Sequence, residues 1–385
     1  MPSVLIAGGG LVGSVNACLF AKKGWDVRVF ESRPDPRDKQ TETGKSINLA
    51  LGHRAMATLD RIGLKKEVIE LGVAVTKRRA HRGESGGTLD QLPILNEGDF
   101  VLTVNRHVLS ELLIKQADTF ENVKFQFGCK ALKFDSELHK VVLETPHGQI
   151  EAGGDLILAC DGAHSSIRRS LLKVPRFNFE QQFIEFGYMD LSAMSIGESG
   201  LERGVHNSWI RANVVVVAFV NRDDSLTVSV FAKFTEFERN MSDPSECARF
   251  FKSNFPEVFD VLGELHILET FSRHKPQAII SVRCSQHAFF NNLLLMGDAA
   301  HAMVPFSGQG VNCGFEDCLV LQEILEANGG NLEKTVREYS NVRTEDTNAM
   351  NRMAWRSYLE LECFVCNCPI DWIQRIVSLL LIALH

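Results

Sequence analysis

Apolar residues along the chain change their spacing at short intervals, and each spacing predicts a different element. Residues 4–7 form an aliphatic run, residues 14–23 have helical spacing, and residues 26–30 return to strand character. This order predicts a β-α-β unit at the start of the chain. The same reading predicts helices at residues 55–64 and 107–119, and strands at residues 100–104, 123–127, 140–144, 155–160, 213–220, 226–234 and 293–296.

Two further changes of pattern predict the wider organisation. Between residues 177 and 284 strand-like blocks dominate, which indicates a second, sheet-rich unit, and from residue 345 onward the spacing is helical. The chain has 385 residues, and single cores stop growing at about 250–300 residues. We therefore expect more than one structural unit.

Glycines follow the first predicted strand in a pattern typical of dinucleotide sites. Gly8, Gly10 and Gly13 separate that strand from the following helix, and Glu31 ends the second strand. In this context the glycines allow a tight turn and close approach of a pyrophosphate, while the acid can bind a ribose. An ordinary glycine turn is the alternative, which the order strand, glycines, helix, strand and acid disfavours.

Two more glycine-containing segments follow apolar strands. Asp161 and Gly162 come after residues 155–160, and Gly297 and Asp298 precede a second glycine cluster at residues 308–314. Strands of a parallel sheet deliver their following loops to one crevice, so all three segments should meet the same ligand. A ligand that needs three contact regions is long, which favours FAD over NAD.

Composition and charge exclude other classes. The hydrophobic fraction of 45% and the charged fraction of 23% are those of a globular protein. With a formal charge of -7 and no basic stripe, nucleic acid is not an expected partner. The ten cysteines are scattered, as in reducing compartments. Cys363, Cys366 and Cys368 lie close together, but no second pair completes a zinc site, so we predict helix-facing thiols and no metal.

The three motifs together resemble those of the single-component FAD-dependent aromatic hydroxylases. The resemblance implies an α/β fold, in which a Rossmann-like FAD-binding domain is interleaved with a β-sheet substrate domain and followed by C-terminal helices. It implies an FAD-binding domain at residues 1–71, 102–176 and 285–344, a substrate-binding sheet domain at residues 72–101 and 177–284, and a C-terminal helical segment at residues 345–385, shorter than in the family.

The resemblance also implies tightly bound, non-covalent FAD, with NADPH and O2 as co-substrates and no second dinucleotide domain. Oxygen is activated in this family as a flavin C4a-hydroperoxide. No nucleophile or strong base is required of the protein, so no residue is assigned as catalytic. The implied FAD-binding residues are Gly8, Gly10, Leu11, Val12, Gly13, Glu31, Arg33, Ala50, Arg106, Asp161, Gly162, Asp298, Gly310, Val311 and Asn312.

A narrower resemblance is to the kynurenine-hydroxylating branch of that family. It rests on the segments GKSINLALGHRA, KVPRFNFEQQFIEFGYMDL, FAKFTEFE and VPFSGQGVNCGFEDC. It implies hydroxylation of L-kynurenine in tryptophan degradation, with Arg78 binding the α-carboxylate. From the residues alone, a solvated basic strand is the favoured interpretation of residues 77–82, and only the resemblance favours a binding role for Arg78. The implied substrate-binding residues are Arg78, Phe100, Phe234, Pro305, Phe306 and Glu360.

The chain departs from that branch at the substrate side. Phe100 and Ser357 stand where the branch has tyrosine and asparagine. The alternatives are therefore a related hydroxylase for another aromatic acid, or a flavin-binding paralogue without turnover. The resemblance implies association with the cytosolic face of the mitochondrial outer membrane, and otherwise we expect a cytoplasmic protein. The apolar run at residues 376–384 is shorter than the ~20 residues that a membrane span requires.

Overall fold

The computed structural model describes residues 1–38, 48–82, 87–91, 100–193 and 200–365. Cys366, Cys368 and the apolar run at residues 376–384 lie outside this part of the chain, as does the start of the GKSINLALGHRA segment. In the described part, no helix is both long enough and apolar enough to cross a bilayer.

The strands, in chain order, are β1 (Ser3–Ala7), β2 (Asp26–Glu31), β3 (Asn48–Leu51), β4 (Val73–Val75), β5 (Lys77–Arg82), β6 (Gly87–Gln91), β7 (Val101–Asn105), β8 (Val123–Phe127), β9 (Lys130–Asp135), β10 (Lys140–Thr145), β11 (Gly148–Ala152), β12 (Leu156–Ala159), β13 (Phe179–Asp190), β14 (Val205–Arg211), β15 (Val214–Val220), β16 (Leu226–Lys233), β17 (Gln277–Cys284), β18 (Ala288–Phe289) and β19 (Leu293–Leu295).

The α-helices are α1 (Leu11–Lys22), α2 (His53–Ile62), α3 (Lys65–Leu71), α4 (Arg106–Ala117), α5 (Ser166–Ser170), α6 (Phe234–Asn240), α7 (Pro244–Asn254), α8 (Pro256–Leu262), α9 (Glu264–Arg273), α10 (Asp298–His301), α11 (Gln309–Ala327) and α12 (Leu332–Val365). Short 3₁₀ turns occur at Leu171–Lys173 and Pro305–Ser307.

A six-stranded sheet forms the first layer, in the order β18-β19-β12-β1-β2-β8. Strands β19, β12, β1, β2 and β8 are parallel, and only β18 runs antiparallel. Strand β1 is central, and Val4 and Leu5 in it are fully buried, because helices or other strands cover both faces of such a sheet. The loops that follow β1, β12 and β19 therefore emerge at one edge.

A seven-stranded sheet forms the second unit, in the order β17-β13-β16-β15-β14-β5-β6. Strand β15 shows how its residues alternate between two environments. Val214, Val216 and Ala218 belong to a core beneath α7 and α9, while Val215 and Val217 face a cavity. Side chains in a strand alternate between faces, so one face of this sheet is available to a ligand.

Two smaller three-stranded sheets complete the fold, β11-β10-β9 and β3-β7-β4. Strand β4 pairs with β7, whereas β5 pairs with β14 in the large sheet. Helix α12 is continuous over 34 residues, so the predicted segment boundary at residue 345 falls inside a helix. Its buried face packs against β17 and the turn at Pro305–Ser307.

The α/β class with its parallel sheet and sheet-rich second unit is confirmed. Several predicted boundaries differ from the structure by one to three residues, and two of these differences have a local cause. The strand predicted at residues 213–220 begins at Val214, because Ala212 and Asn213 form a turn with positive φ angles of 47° and 62°. The strand predicted at residues 226–234 ends at Lys233, because Phe234 begins helix α6.

Candidate active site

A cavity of about 2020 Å³ lies between the edge of the parallel sheet and the exposed face of the seven-stranded sheet. Its volume exceeds the ~300–1,000 Å³ of a typical small-ligand pocket. One wall is formed by the loops after β1, β12 and β19, and the opposite wall by β5, β14, β15 and β16. There is thus room for a long cofactor and a second, smaller molecule.

The turn after β1 is built from glycine because a side chain there would collide with the backbone. Gly8 has φ +105°, and a Cβ on it would lie 2.2 Å from the carbonyl oxygen of Cys160. A Cβ on Gly13 would lie 1.9 Å from the carbonyl oxygen of Gly8. Helix α1 follows at once, and Gly10 offers its first N–H groups no side-chain cap. Such a helix start suits a phosphate.

Glu31 ends β2 and is almost fully buried at the edge of the cavity. Its Oε2 accepts a hydrogen bond of 2.8 Å from the N–H of Gly9, and its Oε1 accepts one of 2.8 Å from Arg33 Nε. Burial alone would raise the pKa of Glu31, but the hydrogen bond and charge of Arg33 lower it below the usual value. The carboxylate is ionised at neutral pH and can accept from ribose hydroxyls.

Asp161 follows β12 and also lines the cavity. Its Oδ2 accepts from the N–H groups of Ser166, at 2.9 Å, and Ile167, at 3.2 Å. Its buried Oδ1 has no hydrogen-bond partner among the residues that the structure describes, and burial raises the pKa of this carboxyl. An unpartnered buried oxygen is costly unless a ligand satisfies it.

The cofactor wall has four contact regions. After the β1 turn, Glu31 and Asp161, the fourth combines the loop after β19 with the start of α11. Gly297 has φ +57°, and a Cβ there would lie 2.9 Å from the side chain of Val12. By contrast, a Cβ on Gly310 would meet no atom of the described chain within 4 Å apart from its neighbours in sequence and its own helix backbone, and Gly310 lines the cavity. The bare backbone at Gly310 therefore leaves room for a ligand and not for another part of the chain.

Asn312 holds this helix start against the neighbouring strand. Its Nδ2 donates to the carbonyl oxygens of Ala50 and Gly308, each at 2.8 Å, and its Oδ1 accepts from the N–H of Gly52 at 2.7 Å. With its amide engaged in these bonds, Asn312 can meet a ligand chiefly through its backbone.

These features fit the predicted FAD. Asp161 with its orphaned oxygen, the bare Gly310 and the uncapped start of α1 all lie at one cavity. Of the residues predicted to contact FAD, Gly13 alone does not line the cavity, because it packs under Gly8. Those that line it are Gly8, Gly10, Leu11, Val12, Glu31, Arg33, Ala50, Arg106, Asp161, Gly162, Asp298, Gly310, Val311 and Asn312.

Five of the six residues predicted to contact substrate also line the cavity: Arg78, Phe100, Pro305, Phe306 and Glu360. Phe234 does not, because it starts α6 and its ring lies against Gly187. Phe231, which precedes it on β16, faces the cavity instead, with its ring centroid 5.4 Å from that of Phe306.

The sheet wall of the cavity is arranged in rows across the strands. Arg78 on β5 is paired with His206 on β14, which we call the polar row. Two residues further along each strand, on the same face, is a second row, which we call the small row: Ala80, Ser208, Val217 and Ser229. The next step, the aromatic row, contains Ile210, Val215, Phe231 and Tyr188. Sequence reasoning missed His206 and Phe231, although the alternation along β14 and β16 carries the signal.

Arg78 is the cation of the polar row. It has no ion-pair or hydrogen-bond partner within the described chain, and its Nε is buried. Burial lowers the pKa of this guanidinium, which nevertheless stays protonated at neutral pH. A buried, uncompensated positive charge favours an anionic ligand.

A buried ionic network lies behind the cofactor wall. Asp317 Oδ2 is 2.6 Å from His301 Nε2 and accepts from the N–H of Gly297 at 3.0 Å. Its Oδ1 accepts from Arg343 Nε at 2.9 Å. His301, Asp317 and Cys313 are close enough to hold a metal ion. However, Arg343 also lies 3.4 Å from Cys313 Sγ, and a guanidinium in that place repels a cation.

Comparisons with known proteins identify a matching family and similar sequences. Residues 1–352 match the family described as an FAD binding domain. The kynurenine 3-monooxygenase of Caenorhabditis elegans is 44% identical over 383 residues, covering 95% of this chain and 83% of the relative. The enzyme of the same name from Sus scrofa is 36% identical over 365 residues, covering 94% and 77%.

Solved structures of lower identity share the fold. The oxygenase of 2-methyl-3-hydroxypyridine-5-carboxylic acid superposes with a TM-score of 0.79 at 18% identity, covering 96% of this chain and 94% of that one. PqsL of Pseudomonas aeruginosa, in complex with 2-aminobenzoylacetate, gives 0.76 at 19% identity, covering 94% and 96%. At these identities the likeness establishes the fold alone.

Proposed function

Because the chain belongs to the kynurenine 3-monooxygenase family of FAD-dependent monooxygenases, we propose that it hydroxylates the ring of L-kynurenine at C3. In the balanced reaction, L-kynurenine, NADPH, O2 and a proton give 3-hydroxykynurenine, NADP⁺ and water. One oxygen atom enters the ring, and the other is reduced to water by the two electrons of NADPH.

The observation that carries this proposal is Arg78. It is a half-buried cation without an ion-pair partner in the described residues, at one end of a wall whose other end is aromatic. An aromatic α-amino acid fits a wall that is charged at one end and aromatic at the other. Its carboxylate can bind the guanidinium bidentately while its ring lies toward Phe231 and Phe306.

The aromatic end of the wall positions the ring and excludes water. The ring of Phe306 lies 5.4 Å from that of Phe231 and 5.8 Å from that of Tyr358, measured between centroids. Rings held at such distances pack as rigid surfaces. A dry wall matters here, because water beside the reacting oxygen species diverts it from the substrate to peroxide. On the other side, Glu360 lines the cavity and is held by Arg356 at 3.0 Å.

The cofactor wall would hold FAD through the residues described above. When bound, FAD supplies the electron transfer and oxygen activation, for which no protein side chain has the chemistry. Gly8, Gly10 and the start of α1 suit the pyrophosphate, Glu31 suits the adenosine ribose, and the start of α11 directs its positive end at the space beside Gly310. We also propose how the chain is divided between the two ligands. The cofactor-binding segments are residues 1–71, 102–176 and 285–344, and the substrate-binding segments are residues 72–101 and 177–284.

Family likeness alone supports two finer proposals: NADPH docks on the protein surface, and the protein associates with the cytosolic face of the mitochondrial outer membrane. Fractionation of cells expressing the full chain, followed by salt and carbonate extraction, tests the association. Recovery in the cytosolic fraction would contradict it.

The function is tested with the purified FAD-loaded protein. We expect L-kynurenine to stimulate NADPH oxidation, with 3-hydroxykynurenine formed in equal amount and little hydrogen peroxide. Stimulation by another aromatic acid and not by L-kynurenine would move the assignment to a related hydroxylase. Phe100, which lines the cavity without a polar atom, makes that comparison necessary. Absence of stimulated NADPH oxidation with every acid would contradict a monooxygenase function.

A further inference from the structure

His206 is a half-buried polar side chain with no hydrogen-bond partner among the described residues, and it lies directly beside the proposed substrate-binding arginine. It is the Cα partner of Arg78 on the adjacent parallel strand, so both side chains leave the sheet on the same face. Both line the cavity. The Nδ1 of His206 is buried and bonded to no described residue, which leaves Nε2 as the ring nitrogen that can meet a ligand.

The surroundings of His206 keep the imidazole neutral. Burial, and after it the positive charge of Arg78, lower its pKa to about 3. On its other side lies the ring of Phe219, with centroids 4.9 Å apart. No acidic side chain of the described residues pairs with either member of the polar row. At neutral pH the row therefore consists of one cation and one neutral ring that can donate a single hydrogen bond.

We propose that His206 and Arg78 together bind the carboxylate of the substrate, Arg78 through its charge and His206 as a neutral hydrogen-bond donor. Neighbouring strands lie about 4.8 Å apart, a separation at which two side chains can approach the two oxygens of one carboxylate. The identity of the ligand rests on the proposed function, whereas the role of His206 requires only an anionic carboxyl group.

The neutral state gives His206 a role that a second cation could not fill. Two adjacent positive charges would repel each other in the free protein and strongly raise the cost of burying the pair. A neutral donor adds a directed hydrogen bond to a charged acceptor, which is stronger than a bond between neutral groups. Because an orphaned N–H costs more than an orphaned lone pair, we infer that the buried Nδ1 is the unprotonated nitrogen and that Nε2–H is the donor.

The other polar side chains of this wall are less suited to the task. Ser208 lies one row away, and its hydroxyl is 3.5 Å from the carbonyl oxygen of Arg79. Phe100 lines the cavity but offers no polar atom. His206 is thus the polar group that the sheet places next to Arg78, and Ser208 provides a matched control on the same strand and face.

The test uses FAD-loaded H206L, H206N, H206Q and S208A proteins, each checked for FAD content and melting temperature. Dissociation constants are measured from the change in flavin absorbance with three ligands: L-kynurenine, its analogue without the α-amino group, and its analogue without the carboxyl group. We expect H206L to raise the dissociation constants of the two carboxylate ligands about tenfold. The dissociation constant of the analogue without the carboxyl group should stay within twofold of the wild-type value. H206N, which is too short to reach, should do the same.

Two further readouts separate binding from a structural role. H206Q restores a donor of suitable length, so most of the lost affinity should return. With saturating L-kynurenine, kcat of H206L should stay within about threefold of wild type while KM rises, because the ring position is unchanged. S208A, which changes the same wall one row away from Arg78, should cause no loss of affinity that is selective for the two carboxylates.

The outcomes distinguish this inference from the proposed function. An equal loss of affinity for all three ligands in H206L and H206N would overturn the carboxylate-binding role and assign His206 a packing role. A loss of affinity confined to the two ligands with an amino group would overturn it in favour of a contact with the ammonium group. If wild type hydroxylates L-kynurenine, and H206L and H206N bind the carboxylate ligands as tightly as wild type does, the role of His206 is wrong and the proposed function stands. If wild type binds the carboxylates without hydroxylating L-kynurenine, the proposed function fails, and the carboxylate-selective loss still decides the role of His206.

Discussion

Arg343 on α12 lies 2.8 Å from Oδ1 of Asp317 on α11, with both side chains almost completely buried. Burial alone would raise the pKa of Asp317, but His301 and Arg343 hold it well below its usual value. The second oxygen of Asp317 binds the N–H of Gly297. The pair therefore fixes the loop after β19, one of the four regions of the cofactor wall, to two helices that lie behind it.

Asp317→Asn should strongly destabilise the protein. The substitution removes the fully buried carboxylate that pairs with Arg343 and leaves the partly exposed Glu316, at 3.1 Å, as its nearest carboxylate. Breaking a buried ion pair costs about 3–5 kcal/mol. Urea unfolding of the FAD-free protein measures the loss, and FAD content should fall with it. The control is Asp346→Asn, since Asp346 lies 3.5 Å from Arg343 with its side chain 59% exposed, and a loss below about 0.5 kcal/mol is expected. Equal effects of the two substitutions would contradict the importance of the buried pair.

His287 should make the protein sensitive to acid. It is fully buried, and burial, with a further contribution from His301, lowers its pKa to about 3. Below about pH 6.5 the unfolded chain takes up a proton at this histidine, whereas the folded state does not until the pH is near 3. Protonation of His287 therefore costs no unfolding free energy above pH 6.5, and the unfolding free energy falls as the pH drops from 6.5 toward 3. Between pH 7 and 5.5, wild type should lose about 1.3 kcal/mol more unfolding free energy than His287→Leu. Parallel losses in the two proteins would assign the acid sensitivity to other groups.

The cofactor wall could be predicted from sequence because its signals are local. Gly8, Gly13 and Gly297 occur where the backbone meets other backbone or a packed side chain, and each follows an apolar strand in the sequence. The role of Asn312 was harder to predict. Its hydrogen bonds to Gly52 and Ala50 span 260 and 262 residues of sequence, and contacts over such distances leave no local pattern.

The substrate wall was predicted less completely, for a physical reason. Strand β15 reads VVVVAFV, so it is apolar on both faces, and alternation alone does not say which face meets the ligand. Phe231 and Phe234 lie in one run, FAKF, and only the end of β16 at Lys233 separates the residue that faces the cavity from the one that packs on Gly187.

Arg78→Met should weaken L-kynurenine binding about 100-fold while leaving FAD content unchanged. Removing one member of a buried, hydrogen-bonded charge pair costs about 2–5 kcal/mol, and each 1.4 kcal/mol corresponds to a factor of ten. Titration of the flavin absorbance with L-kynurenine measures the change. Arg79→Met is the control, because Arg79 is the next residue, does not line the cavity and pairs with Glu202 at 2.9 Å. A similar loss in both variants would point to a general effect of positive charge on β5.

Gly310→Leu should separate cofactor binding from folding. A Cβ at Gly310 meets no atom of the described chain within 4 Å beyond its sequence neighbours and its own helix backbone, and a longer side chain would extend into the space assigned to FAD. Leucine is a better helix former than glycine by about 0.5–1 kcal/mol. The FAD-free variant should therefore be at least as stable as wild type, while its affinity for FAD falls more than tenfold. Gly13→Ala provides the contrast, because its Cβ would lie 1.9 Å from the Gly8 carbonyl oxygen and should lower both stability and FAD affinity. Flavin fluorescence titration and urea unfolding of the FAD-free proteins measure the two quantities. Full FAD affinity in Gly310→Leu would show that the cofactor does not occupy the space beside the start of α11.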